Sequence, residues 1–429
     1  MRMFVLHLGS ASLQESTAFM NPFILFNRAA EINSKKINRK RKTNQTMKFG
    51  TKAIHAGVHP DPVTGAIMTP IYQTSTYVQE APGQHKGYAY ARGKNPTRSQ
   101  LEANLAALEN AAYGLCFSSG MGAIDAVIKL LQPGDEVIAG DDLYGGSYRM
   151  FTQIYEPLGI RFHFIDLSDL AVVSAHVTEK TRLIWAETPT NPTLRIVDIA
   201  ALAQVAQKGG FWLAVDNTFA SPYLQNPLDW GADIVMHSVT KYLSGHSDVV
   251  MGALMTNQES LYARLAFILN SCGANPGPMD SFLVLRGVKT LHLRMKAHGE
   301  NAAAVAQFLR NHPAVGRVYY PGFSDHPGHA VAAKQMRGFG GMVSFTLQND
   351  SEQSARQLAS SLKVFSLAES LGGVESLVGH PASMTHASIP RERRMAAGVV
   401  DGLLRLSVGV EDIDDLIDDL KAGLAGLDG

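Results

Sequence analysis

Met236-His-Ser-Val-Thr-Lys-Tyr242, which follows a short apolar run, carries the residue types with the most chemical potential in this chain. Ligands of open parallel sheets bind beyond the carboxyl ends of the strands, and Ser238, Thr240 and Lys241 stand at such an end. Two hydroxyls beside a lysine can hold a phosphate while the amine bonds covalently to a carbonyl, as a pyridoxal-phosphate Schiff base requires. Taken alone, Lys241 reads more simply as an exposed lysine closing a strand. Ala214-Val-Asp-Asn217 ends another apolar run, with Asp216 placed 25 residues before Lys241, about one crossover unit. An aspartate there can pair with a protonated pyridine nitrogen, so that the ring accepts electrons from a substrate carbanion. Without Lys241 it would serve as well as a turn cap.

Further segments fit the same chemistry. Phe117-Ser-Ser-Gly-Met-Gly-Ala123 reads as strand, glycine-rich turn and helix start. The free amides of Gly120 and Met121 would bind phosphate there. Dinucleotide sites share such turns, but the GxGxxG spacing and a suitably placed ribose-binding acid are missing. In Asp142-Leu-Tyr-Gly-Gly-Ser147, Tyr144 can stack on a flat ring or fill a core. Tyr90 and Arg92, in Tyr-Ala-Tyr-Ala-Arg-Gly-Lys-Asn-Pro-Thr, can close a phosphate site from outside. Arg405 offers a two-pronged fork for an amino-acid carboxylate, or half of a buried structural ion pair.

Positioning these residues requires a sheet. From about residue 100, short apolar runs alternate with helical periods, the pattern of a mostly parallel sheet covered by helices. The expected strands are 115–117, 136–139, 161–166, 182–187, 212–215, 234–237 and 249–255. Helical stretches at 124–131 and 199–207 lie between them, the second closed by Gly209-Gly210. After about residue 256 come helices at 259–269 and 291–309, strands at 342–347 and 403–408, and a last helix from about Glu411. That helix carries Ile413, Leu416, Ile417, Leu420 and Leu424 on one stripe. The expected organisation is an extension (1–46), an aperiodic arm contacting a neighbouring subunit (47–100), a large domain (101–290) and a smaller α+β domain (291–429).

Composition sets the outer limits. With 429 residues and 45% hydrophobic side chains, the chain can bury a real core and is no disordered polymer. Two cysteines, Cys116 and Cys272, make neither a disulfide scaffold nor a CxxC metal cage, and no metal is expected. Balanced charge, 38 basic against 38 acidic residues, leaves no nucleic-acid footprint. No apolar run is long enough to span a membrane, and a cytoplasmic location is expected. Residues 1–46 hold eight of the basic residues, six of them within 35–42, which leaves 30 basic and 36 acidic side chains in the body. A transit peptide or a nucleic-acid arm would fit this segment. The preferred expectation is an over-extended gene start or a disordered tail, with Met47 at the change in composition.

From about Thr51 to the C-terminus, the chain resembles the Cys/Met-metabolism pyridoxal-phosphate enzymes, the cystathionine γ-synthase and γ-lyase group. The motifs that carry the resemblance are Tyr-Ala-Arg-Gly-Lys-Asn-Pro-Thr-Arg (90–98), Thr-Pro-Thr-Asn-Pro (188–192), Val-Asp-Asn-Thr-Phe (215–219), Ser-Val-Thr-Lys-Tyr (238–242), Ser-Gly-His-Ser-Asp-Val-Val (244–250), Leu-Ala-Glu-Ser-Leu-Gly-Gly (367–373) and Met-Thr-His-Ala-Ser (384–388). The resemblance implies an α/β fold-type I transferase, aspartate aminotransferase-like, with a mostly parallel seven-stranded sheet and a smaller C-terminal domain. It implies pyridoxal 5'-phosphate on Lys241, Asp216 at the ring nitrogen and Tyr144 on the ring. Gly120, Met121, Ser238 and Thr240 would hold the phosphate, with Tyr90 and Arg92 contributed by the neighbouring subunit of a homotetramer. Asn191, Ser370 and Arg405 would orient the substrate carboxylate, with Arg149 and Glu369 toward its distal end.

Two positions narrow the implied reaction. Methionine γ-lyases typically carry a cysteine after Tyr-Gly, where Gly146 stands here, and lack the acid that Glu369 supplies. An acid there suits the second ammonium of cystathionine. The expected activity is cystathionine γ-lyase, with γ-synthase as the alternative. Homoserine sulfhydrylases fit less well, and a non-catalytic binding protein would have lost Lys241 or Asp216.

Overall fold

The computed structural model describes residues 47–427; the expectations for 1–46 lie outside the described residues. Seven strands form the larger sheet: β1 (Tyr113–Phe117), β2 (Glu136–Gly140), β3 (Arg161–Ile165), β4 (Thr181–Glu187), β5 (Trp212–Asp216), β6 (Ile234–Ser238) and β7 (Gly252–Thr256). Their order is β1-β7-β6-β5-β4-β2-β3. β3, β2, β4, β5 and β6 run parallel, and β7 runs against both of its neighbours. No helix covers the connection from β6 to β7, so the chain reverses there instead of crossing over. Lys241 sits on that reversing connection. The parallel strands share a carboxyl edge, and Glu187, Asp216 and Ser238 are the last residues of β4, β5 and β6.

Alternate residues of the central strands feed two different cores, which is why these strands read as continuous apolar runs. Val137, Leu183, Trp185 and Ala214 pack with the helices Gly120–Ile128 and Glu259–Cys272. Ile138, Ile184, Leu213 and Val215 face the helix Ile199–Gly209 on the other side. That helix starts at Asp198, whose carboxylate accepts the Ala201 amide at 3.0 Å, and ends at Gly210 with φ of 70°. Only glycine adopts that conformation without steric cost.

Two expected boundaries move for physical reasons. The helix expected over 124–131 begins at Gly120, because Ser119 caps it by accepting the Gly122 amide at 3.0 Å. The strand expected over 249–255 starts at Gly252, whose backbone lies so close to Ser119 that a Cβ would meet its carbonyl oxygen at 2.3 Å. Pairing with β1 and β6 begins only at that close approach.

The smaller sheet contains β8 (Val315–Tyr319), β9 (Met342–Leu347), β10 (Ser366–Leu367), β11 (Leu377–Gly379) and β12 (Leu403–Ser407), in the order β10-β11-β12-β9-β8. Val343, Phe345, Leu404 and Leu406 pack against Val305 and Leu309 of the helix Leu291–Arg310. They also meet Leu416, Leu420 and Leu424 of the final helix, Ile413–Ala425, which starts after its cap Asp412. The segment expected to be aperiodic contains the short helix Phe49–His55, and the helix Pro96–Leu108 begins at its end. Asn95 caps the latter by accepting the Thr97 amide at 3.0 Å.

Candidate active site

A cavity of about 270 Å³ opens at the carboxyl edge of β4, β5 and β6. Its walls include Gly120, Met121, Tyr144, Asn191, Asp216, Ser238, Thr240, Lys241, Ser370 and Arg405, ten of the fourteen residues expected to form the site. One end is the start of the helix Gly120–Ile128, whose first amides have no partner within the helix. A Cβ on Gly120 would stand 3.1 Å from the Ser238 hydroxyl, so glycine leaves that corner open. Thr240 lies on the wall, but its hydroxyl is engaged with the Met251 backbone, accepting the amide at 3.0 Å and donating to the carbonyl at 3.3 Å. Those two bonds fasten the turn that carries Lys241.

The Lys241 ammonium donates to the Ser370 hydroxyl at 2.8 Å. Burial is the main cause of its lowered pKa, about 8; the Arg405 charge adds to the lowering and Glu369 opposes it. Ser370 has a φ of 106°, a strained conformation for a residue with a side chain. The strain turns its hydroxyl to Lys241 and its carbonyl to Arg405, which donates to it at 2.8 Å. Arg405, from β12, also donates to Asn191 Oδ1 at 2.8 Å. It is buried, and burial brings its pKa down to about 10. Arg405 has no carboxylate within ion-pair distance among the described residues, and its Nε has no partner. The reading of Arg405 as half of a structural ion pair is therefore excluded. A buried guanidinium without an anion has the chemistry to receive a carboxylate.

Asp216 closes the other end. Its Oδ1 accepts the Thr218 amide at 3.0 Å and the Thr218 hydroxyl at 2.5 Å, and that hydroxyl accepts the Ser238 amide at 2.8 Å. Burial raises the Asp216 pKa, and the two Thr218 bonds draw it back. Tyr144 lines the cavity with its ring partly exposed, and its amide donates to Glu187 Oε2 at 3.0 Å. On the far side of the sheet a buried polar cluster supports these strand ends. Glu109 Oε1 accepts from Asn217 at 2.8 Å and lies 2.5 Å from His237 Nε2, and its Oε2 accepts from Asn226 at 3.1 Å.

Four expected residues do not line the cavity: Tyr90, Arg92, Arg149 and Glu369. Arg92 lies over the Tyr90 ring and donates to Asn270 at 3.3 Å, while Arg149 and Glu369 are exposed. The cavity also contains residues that sequence reasoning did not single out, chiefly Glu187, Thr218 and Thr385. Thr218 was within reach, two positions after Asp216 in a quoted motif. Glu187 becomes visible only through its register with Asp216 across β4 and β5.

Residues 50–425 match the family model described as Cys/Met metabolism PLP-dependent enzyme. The chain is 53% identical to cystathionine gamma-lyase of Dictyostelium discoideum, covering 88% of this chain and 97% of that protein. It is 51% identical to cystathionine beta-lyase of Coxiella burnetii, over 89% of this chain and 99% of the other. The crystal structure of cystathionine gamma synthase from Xanthomonas oryzae pv. oryzae in complex with cystathionine superposes with a TM-score of 0.87 at 45% identity, covering 89% of this chain and 99% of that one.

The cavity fits pyridoxal phosphate on its own chemistry. Free helix amides and an open corner beside Ser238 suit a phosphate, a partly neutral amine suits an aldehyde, and a buried carboxylate suits a ring nitrogen. Three named activities of one reaction family stand at nearly equal distance from a chain with this cavity, and it belongs to the Cys/Met-metabolism family of pyridoxal-phosphate-dependent enzymes.

Proposed function

We propose that this enzyme is a cystathionine γ-lyase, converting L-cystathionine and water to cysteine, 2-oxobutanoate and ammonia. The observation that carries the reading is Glu369. It adjoins Ser370 at the cavity, and its negative charge strengthens proton binding at both Lys241 and Arg405. An acid in that position matches the second ammonium group of cystathionine, which would otherwise be unpaired.

Pyridoxal phosphate, when bound, supplies the electron sink that stabilises a carbanion next to the substrate nitrogen. The helix start at Gly120 and Met121, with the Ser238 hydroxyl, would hold its phosphate, Thr240 would join by exchanging its 3.3 Å bond to the Met251 carbonyl, and Asp216 would hold the proton on its ring nitrogen. Arg405 and Asn191 receive the substrate α-carboxylate, an arrangement supported by the unpaired buried guanidinium. Lys241 Nζ, kept near Ser370 Oγ, removes the α-proton and then moves protons between the α, β and γ carbons. Tyr144 would stack on the ring, placing its phenol to deliver a proton to the departing sulfur. Arg149 and Glu369 pair with the distal carboxylate and ammonium.

The active unit we infer is a homotetramer made of two active dimers in the cytoplasm, with Tyr90 and Arg92 completing the neighbouring subunit's phosphate site. The arm over 47–100 supports this, because Val63, Ile67 and Val78 are 87%, 81% and 93% exposed. Apolar side chains so open call for a covering surface. No helix among the described residues is long and apolar enough to cross a membrane. Glu369→Ala tests the substrate assignment. It is expected to raise KM for cystathionine by about tenfold, the loss of ~1.4 kcal/mol of pairing, without changing KM for an O-acylhomoserine. Equal effects on both substrates would remove the support for cystathionine.

A further inference from the structure

Glu187 is a cavity carboxylate with no part in the steps above. It ends β4 and stands in register with Asp216 at the end of β5. Register partners in a parallel sheet point to the same face, so two buried carboxylates lie side by side. The charged and titratable groups around Glu187 are Asp216 beside it, Asp142 behind it, Tyr144, Lys241 and the Arg405 guanidinium in the same cavity, and the Asp141, Asp166 and Arg195 group beyond Asp142. Arg195 is committed to those aspartates, lying 3.0 Å from Asp141 and 3.7 Å from Asp142. Arg405 spends its Nη atoms on Asn191 and Ser370. Neither Glu187 nor Asp216 has a cation within ion-pair distance among the described residues, and two adjacent buried carboxylates oppose each other's charge.

Each carboxyl accepts two hydrogen bonds, so the charges behind them decide which one keeps the proton: Asp142 behind Glu187, His237 behind Asp216. Asp216 accepts two bonds from Thr218, and His237 behind the strand favours its charged form. Glu187 receives the Tyr144 amide at 3.0 Å and the Asn191 amide. Burial, and then the charge of Asp216, push its carboxyl well above the ordinary range.

We propose that Glu187 is a proton-holding positioning residue, a neutral carboxylic acid at working pH that leaves Asp216 as the single negative charge facing the ring nitrogen and turns an O–H donor toward the same cavity. The proposal rests on the reading of Asp216 as the ring-nitrogen partner.

Infrared difference spectra of the holoenzyme, wild type against Glu187→Gln and in H2O against D2O, test it. The expected result is a carbonyl-stretch band of a protonated carboxylic acid at neutral pH, shifted in D2O and absent from Glu187→Gln. The variant is close to isosteric and is also expected to leave the pH midpoint of the bound cofactor's absorbance unchanged. A band that persists in Glu187→Gln but vanishes in Asp216→Asn puts the proton on Asp216 and overturns the proposal. So does a wild-type enzyme without the band, or a midpoint that falls by about one pH unit in Glu187→Gln, since that shift reports a lost charge. If Glu187→Gln fails to fold, the wild-type band and its D2O shift decide alone. Failure of the ring-nitrogen reading looks different: Asp216→Asn would then leave cofactor absorbance and affinity unchanged.

Discussion

Lys241 is expected to be a far better nucleophile at neutral pH than an ordinary lysine. Its pKa drops from 10.5 to about 8, mainly by burial and secondarily through Arg405. At pH 7 an amine with the lower value is about one-tenth neutral, against roughly one part in 3,000 for the higher one, a gain of ~300-fold in free amine. The drop carries a cost of roughly 3 kcal/mol in the folded apo chain. The unfolded chain holds the extra proton between the two values, so stability recovers as pH rises from about 8 toward 10.5. The assay mixes apoenzyme with pyridoxal phosphate over a range of pH and follows the absorbance of the lysine-linked cofactor. The rate is expected to rise about tenfold per pH unit and level off near 8, where Lys241 loses its proton. Glu369→Gln removes an influence that raises the value and should move the inflection to lower pH. Arg405→Met removes one that lowers it and should move the inflection up. An inflection near the free-lysine value, or shifts of opposite sign, would refute the reasoning.

Two further outcomes test the cofactor site. Gly120→Ala crowds Ser238 at 3.1 Å and Met236 at 3.3 Å; apo stability should change by less than about 1 kcal/mol, because alanine's helix propensity offsets the crowding. Cofactor affinity, read by fluorescence titration, should fall about tenfold, ~1.4 kcal/mol, and unchanged affinity would place the phosphate elsewhere. Mixing inactive Lys241→Ala and Arg92→Ala subunits should restore about one quarter of wild-type activity if each site takes Arg92 from its neighbour, and no recovery would refute the shared site.

What was legible in the sequence is what local physics decides. The central strands are buried on both faces, so they announce themselves as apolar runs, and Asp216 and Ser238 fall at their ends because polarity returns there. The start of the helix at Gly120 was hidden because Gly-Met-Gly has poor helix propensity, and the Ser119 cap overrides it. β8, β10 and β11 escaped notice, being short strands with exposed positions and little alternation. The helix Pro96–Leu108 was signalled by Asn95-Pro96 but masked by the glycine- and proline-rich stretch before it. Glu187 lay beyond local reading altogether, since its pairing with Asp216 comes from strand register across 28 residues of intervening chain. The family motifs reached further than the periodicity did, pointing to Asn191 and Ser370, to which Arg405 donates in the fold.

The central claim is tested most directly by giving the purified enzyme L-cystathionine alone and identifying products by mass spectrometry. The account predicts rapid, equal release of 2-oxobutanoate and cysteine. Intact cystathionine would move the assignment to the γ-synthase, and pyruvate with homocysteine would mean cleavage on the other side of sulfur; either result contradicts the γ-lyase.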